Sequence, residues 1–153
     1  MAGTYFQLHI QLVFAVAGRT RLIPTQHQET LNKYVTGIIT NKGQKALAVN
    51  GMPDHLHLLV GLRPDTALSD LVRDIKANSS RFISEQGWVT GKFAWQRGYG
   101  AFSYSASHLD RVVRYIHNQK AHHATRSFRE EYQALLDAFG VQYDAQYLLD
   151  EEA

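Results

Sequence analysis

Cysteine is absent from the 153 residues. That excludes disulfide scaffolds, thiol nucleophiles, thiolate zinc sites and iron–sulfur clusters. Proline is scarce: Pro24, Pro53 and Pro64 are the three in the chain, each at an expected element boundary. No apolar run approaches the roughly 18 residues of a membrane span. The opening MAGTYFQLHIQ lacks the charged-then-apolar layout of a signal peptide. A thiol-free chain without span or leader fits a reducing cytoplasm. No linker, low-complexity stretch or internal repeat interrupts it.

What is present is ordinary globular material, 44% hydrophobic and 20% charged. One domain over residues 1–153 is the expectation at this length. The net charge of +2 is unevenly spread. Residues 1–125 hold 14 Lys and Arg against 7 Asp and Glu, whereas residues 126–153 hold 2 against 7. A basic body with an acidic C-terminal helix and tail suits a polyanionic partner, or simply a solvated surface that segregates its charge.

Hydropathy patterning predicts the elements. From Phe6 to Val16 every even position is apolar, while Tyr5, Gln7, His9 and Gln11 stand on the odd side. This is the period of a half-buried strand. Thr25 and Gln28 have capping-box spacing, and Leu31, Val35, Ile38 and Ile39 share one helical face. Ala46–Asn50 and His55–Leu62 flank the turn Gly51-Met52-Pro53-Asp54 as a hairpin. A second helix follows, its apolar face interrupted by Asn78, Ser79 and Ser80. A strand is expected around Phe93–Gln96, with extended chain through Ala101–Tyr104. A third helix spans Ser107–His122, and Phe128–Phe139 is the last. The order β-α-β-β-α-β predicts an α+β fold: a ferredoxin-like or RNA-recognition-like antiparallel sheet with helices on one face. The other face is expected to be open, with Gln7, His9, Gln11, His55 and His57 on it.

The stretch Asp54-His55-Leu56-His57 is the most informative. Alternate strand residues share a face, so His55 and His57 point the same way with Cα atoms about 6.6–6.8 Å apart. That separation suits two ligands of one metal ion, or two exposed polar residues on an antiparallel strand. In the third helix Tyr115 and Gln119 are i and i+4 neighbours. A phenol is a poor nucleophile near neutrality, and a divalent metal on a phosphate compensates for this. The chain has neither a G-x-x-x-x-G-K-[ST] phosphate loop nor a G-x-S-x-G elbow.

These residues resemble the single-tyrosine HUH transposases of the insertion sequence 200/605 family. The resemblance covers nearly the whole chain. It rests on Leu12-Val13-Phe14, on Gly51-Met52-Pro53-Asp54-His55-Leu56-His57, on Phe93-Ala94-Trp95-Gln96 with Gly98-Tyr99-Gly100-Ala101-Phe102-Ser103, and on Tyr115-Ile116-His117-Asn118-Gln119. It implies an enzyme that cuts and rejoins single-stranded DNA, including hairpin ends of its own element, without ATP. Tyr115 would be the nucleophile that forms a 5′-phosphotyrosine. His55, His57 and Gln119 would hold a divalent metal, Mg2+ or Mn2+. A homodimer with composite active sites is implied, in the cytoplasm of a bacterial or archaeal cell at its nucleoid. The alternative is a non-catalytic or domesticated protein that binds single-stranded nucleic acid on the same fold.

Other residues are open to two readings. Arg111, Arg114 and Lys120 suit phosphate contacts or plain solubility. Trp95, Tyr99 and Phe102 suit base stacking or core packing. His9 and His108 read as surface. His117, His122 and His123 resemble a metal cluster, but their spacing does not bring them to one helix face, so solvated surface is the expectation.

Overall fold

The computed structural model describes residues 3–149. Its elements are β1 (His9–Ala15), α1 (Gln28–Asn41), β2 (Lys45–Met52), β3 (His55–Gly61), α2 (Leu68–Gln86), β4 (Gly100–Tyr104), α3 (Leu109–His117), α4 (Gln119–His122) and α5 (Phe128–Ala138). The strands form one antiparallel sheet in the order β2-β3-β1-β4. This is the predicted α+β arrangement.

The first face of the sheet carries Leu12, Phe14, Leu56, Leu58 and Val60, packed against Leu31, Val35 and Ile39 of α1 and Leu71, Ile75 and Ile83 of α2. Ser79 interrupts the α2 face and is nevertheless fully buried. Its hydroxyl donates to the Ile75 carbonyl and accepts from the Trp95 indole N–H at 2.9 Å. Trp95 is thereby fixed in the core, and so is Phe102 on the opposite face.

The second face is not open. Val13, Ala15 and Phe102 pack against Phe128, Tyr132 and Leu136 of α5, and Ala48 and Leu59 pack against Val112 and Ile116 of α3. The sheet is therefore covered on both sides. The signal for this lies in Leu12-Val13-Phe14-Ala15-Val16 and Leu58-Leu59-Val60, where the run is apolar on both parities, as in a strand buried on both faces. Gln11, His55 and His57 are a polar island under this second cover.

Several expected boundaries shift. The first strand begins at His9, and Phe6 and Leu8 are 52% and 40% exposed. Thr25 makes no capping bond; residues Thr25–His27 are a single 3-10 turn before α1. The expected strand Phe93–Gln96 reduces to one bridge, Val16 with Trp95, beside which the Gln96 side-chain oxygen accepts from the Ala15 N–H at 2.6 Å. Lys76 ties down the following turn by donating to the carbonyls of Gln96, Arg97 and Gly98.

The expected helix Ser107–His122 is broken at both ends of its middle section. Ala106–His108 is a 3-10 turn without a side-chain cap, and α3 stops at His117. Asn118 takes φ −96° and ψ 26°, after which α4 starts. The Asn50 side chain on β2 donates to the carbonyls of Ile116 and His117 at 3.1 and 3.3 Å. Those carbonyls lose their helical partners at the break, so Asn50 satisfies them.

Candidate active site

The tight hairpin between β2 and β3 sets the position of the histidines. A Cβ on Gly51 would lie 2.3 Å from the His55 carbonyl oxygen, so this close approach needs glycine. His57 stands opposite Val13 on β1 and Asn50 on β2, and His55 opposite Ala15 and Met52. All therefore share the second face. His55 and His57 are both 0% exposed, as is Gln119. This corrects the expectation of an open polar face: α4 and α5 roof the pair.

Each imidazole is oriented through its Nδ1. His55 Nδ1 donates to Asp54 Oδ1 at 2.7 Å. Burial works against the Asp54 charge, yet the His55 hydrogen bond and charge hold its carboxyl below the usual range. In the neutral ring with its proton on Nδ1, His55 Nε2 presents a lone pair. That lone pair faces Gln119 Oε1 at 2.9 Å and Glu131 Oε1 at 3.6 Å. In that neutral tautomer three lone pairs converge on one buried point, an arrangement that a cation stabilises. His57 Nδ1 lies 2.9 Å from the Gln11 side-chain amide, and Gln11 Oε1 accepts from the Tyr104 hydroxyl at 2.7 Å. Burial raises the Tyr104 phenol to about 12, so it remains a donor.

Glu131 was legible in the sequence only as part of an acidic tail. It is 0% exposed and sits at the hub of the site. Oε1 lies 2.9 Å from His57 Nε2 and 3.0 Å from His123 Nε2. Oε2 accepts from the Tyr115 hydroxyl and, at 3.3 Å, from Gln119 Nε2. Burial alone would raise this carboxyl, but the bonds from His123, His57 and Tyr115 hold it well below the carboxylate range. His57 is shifted down chiefly by burial, against the pull of Glu131. His123 goes the other way: burial opposes its charge, and the Glu131 bond and charge outweigh it. His123 is therefore part of the site and not the expected solvated surface. His122 packs against Tyr115 with ring centroids 4.5 Å apart and planes tilted by 33°, while His117 is exposed.

Tyr115 is half-buried. Burial first, then the charge and hydrogen bond of Glu131, push its phenol up, while Arg126 pulls it down. Its exposed side opens on a cleft of about 280 Å³ between α3 and α5. Tyr104, His108, Arg111 and Arg126 line that cleft. Of the three cations singled out in the sequence, Arg111 reaches it. Arg114 is exposed outside it, and Lys120 lines a separate hollow with Arg21 and Asn50.

The donor atoms suit a divalent metal. His55, His57 and Glu131 each offer a ligand atom within 4.8 Å of the others, and all three are buried. Bonds of about 2.1 Å to neighbouring corners of an octahedral ion place donors about 3 Å apart. The observed 2.9 and 3.6 Å spacings are of that order.

The chain belongs to the IS200-like transposase family, described as "Transposase IS200 like", whose model matches residues 4–119. It is a DNA transposase by that membership. It is 27% identical over 124 residues to the ISDra2 transposase TnpA of Deinococcus radiodurans, covering 76% of this chain and 87% of the relative. A crystal structure of a transposase candidate from Deinococcus radiodurans R1 superposes with a TM-score of 0.61 at 26% identity, over 78% of this chain and 95% of that one. A REP-associated tyrosine transposase bound to a REP hairpin shares the fold, with a TM-score of 0.57 at 20% identity over 80% and 73% of the two chains. The family match ends at Gln119, so His123, Arg126 and Glu131 lie beyond it. No helix among the described residues is long and apolar enough to cross a membrane.

Proposed function

We propose that residues 1–153 act as one HUH transposase domain that cuts and rejoins single-stranded DNA at insertion-sequence ends. In this reading Tyr115 is the nucleophile, and His55, His57 and Gln119 hold Mg2+ or Mn2+. The observation that carries it is the convergence of His55 Nε2 and Gln119 Oε1 at 2.9 Å, lone pair to lone pair, one carboxylate away from the Tyr115 hydroxyl.

The metal, when bound, polarises the scissile phosphate and stabilises charge on its oxygens. The chain's own residues do the rest. Arg111 and Arg126 flank the cleft through which the strand reaches Tyr115, and their charges attract its phosphates. The Tyr115 oxygen bonds to phosphorus as the bond to the 3′ oxygen breaks. The phenol proton passes along its hydrogen bond to Glu131 and on to the departing 3′ oxygen, which leaves as a hydroxyl, so the carboxylate ends unprotonated. The strand is left on Tyr115 as a 5′-phosphotyrosine. Attack by another 3′-hydroxyl reverses these bond changes and rejoins the DNA, so no ATP is consumed. The substrate in this reading is a single strand beside a folded hairpin and not a duplex.

We extend the proposal to assembly and place. The working unit is a homodimer with composite active sites, in the cytoplasm of a bacterial or archaeal cell at its nucleoid. Incubation with labelled single-stranded hairpin DNA from the flanks of its own gene tests the chemistry. Cleavage is expected with Mn2+, and neither in excess chelator nor by the Tyr115→Phe variant. Tight binding with no cleavage under any divalent metal would leave a binding protein in place of the enzyme.

A further inference from the structure

We infer that Glu131 is itself a ligand of the metal, through Oε1, and that Oε2 positions the Tyr115 hydroxyl beside it. The inference rests on the metal reading above and extends it to a helix that the family match does not include.

The geometry argues against Glu131 being only a buried ion-pair partner. Its Oε1 lies 3.6 Å from His55 Nε2 and 2.9 Å from His57 Nε2, the two atoms that a metal would use; the His57 contact is an N–H···O bond whose proton a bound metal would displace. Toward His55 that distance joins two acceptors, since Asp54 takes the Nδ1 proton. A buried carboxylate directed at an imidazole lone pair is unfavourable unless a cation lies between them. The companion oxygen accepts from Tyr115 and Gln119, so the carboxylate spans the metal position and the nucleophile.

The rest of α5 supports that placement. Phe128, one turn before Glu131, stacks on the His55 ring with centroids 4.2 Å apart and planes 19° from parallel. His123 holds Oε1 from the side, and its own Nδ1 lies 3.0 Å from the Arg126 carbonyl. The ligand set becomes two imidazoles, one amide oxygen and one carboxylate. An anionic oxygen moves the preference from the softer imidazole metals toward Mn2+ and Mg2+. It also offsets one of the cation's two charges, so Arg111 and Arg126 matter more for the phosphate.

Mn2+ binding by calorimetry, with no DNA present, tests this. Three proteins are compared: the natural chain, Glu131→Gln and His57→Ala. Gln keeps the volume of Glu and an oxygen that can accept from Tyr115, and loses the charge. The natural chain should bind one Mn2+, His57→Ala should lose it, and Glu131→Gln should bind at least about tenfold more weakly while its circular dichroism stays native. Equal affinity in Glu131→Gln, with His57→Ala still defective, would overturn the inference and leave the metal reading standing. No Mn2+ binding by the natural chain would overturn both. If Glu131→Gln does not fold, anomalous diffraction from Mn2+-soaked crystals of the natural protein decides. An ion about 2.0–2.3 Å from Oε1 supports the assignment, and one beyond bonding distance refutes it.

Discussion

The site depends on where single protons sit. Asp54 accepts from His55 Nδ1, as outer groups do behind metal-bound imidazoles, whereas the Gln11 amide donates to His57 Nδ1 and leaves that ring's proton on Nε2, toward Glu131. Gln119→Ala should weaken Mn2+ binding less than His57→Ala, because it removes a neutral amide oxygen and leaves both imidazoles in place. Calorimetry ranks the two. Tyr115→Phe removes one hydroxyl that the Glu131 carboxylate accepts, at a cost of about 1 kcal/mol of stability. Its melting temperature should fall by a few degrees at most, while cleavage disappears. A variant that still cleaves would exclude Tyr115 as the nucleophile. The other pH-sensitive groups make the metal-free protein a test of the same contacts. Glu131 is held below its ordinary 4.5 in the folded state, and His57 below its ordinary 6.5. For both, the unfolded chain binds more protons as pH falls, so their contribution to stability declines on acidification. That decline begins near pH 6.5 for His57 and near pH 4.5 for Glu131. His123 is raised above 6.5, so its contribution is complete below that value and fades as pH rises. Melting temperature in chelator should therefore peak near pH 6.5 and fall steeply below 4.5, and Glu131→Gln should flatten the acid limb.

At the scale of elements, α5 matters most: its span was legible in the sequence, but its packing on the second face of the sheet was not. The strand order, the first helical layer and the histidine hairpin followed from period-2 and period-3.6 patterning. The Tyr115 and Gln119 pair was legible from spacing, although the helix between them is broken at Asn118. Glu131 was not, because a carboxylate in an acidic stretch reads as solvated until the partner that buries it is known. The bilateral apolar runs Leu12–Val16 and Leu58–Val60 were the signs that a second layer had to exist. His123 failed for a related reason: its partner comes from α5, outside any helical repeat that the sequence displays. The seating of α5 can be disturbed without touching the site. Gly100 on β4 has no room for a side chain, since a Cβ would lie 2.7 Å from the Tyr132 ring. Gly100→Ala should lift α5 and cost about 1–3 kcal/mol by overpacking. Mn2+ affinity should fall with it, and adding Tyr132→Leu should restore both. Loss of stability with unchanged Mn2+ affinity would show that α5 does not reach the metal.

The whole molecule has a covered sheet, a cleft at Tyr115 and two edge strands, β2 and β4. Edge strands invite pairing with another chain, which suits the proposed dimer. Mixing inactive His57→Ala with inactive Tyr115→Phe under subunit exchange separates the arrangements. In the described chain Tyr115 meets its own histidines through Glu131. Rescue on mixing requires that the tyrosine serve the partner's site. A dead mixture means that each chain completes its own.

The identity of the nucleophile is open to direct chemical proof through its covalent adduct with DNA. The natural protein is incubated with single-stranded DNA from the flanks of its gene in Mn2+, digested, and its DNA-linked peptide sequenced by mass spectrometry. A 5′-phosphate ester is expected on Tyr115 and on no other residue, and it should be absent when a chelator is present. An ester on any of the other tyrosines, or cleavage that leaves no protein-linked 5′ phosphate, would contradict it.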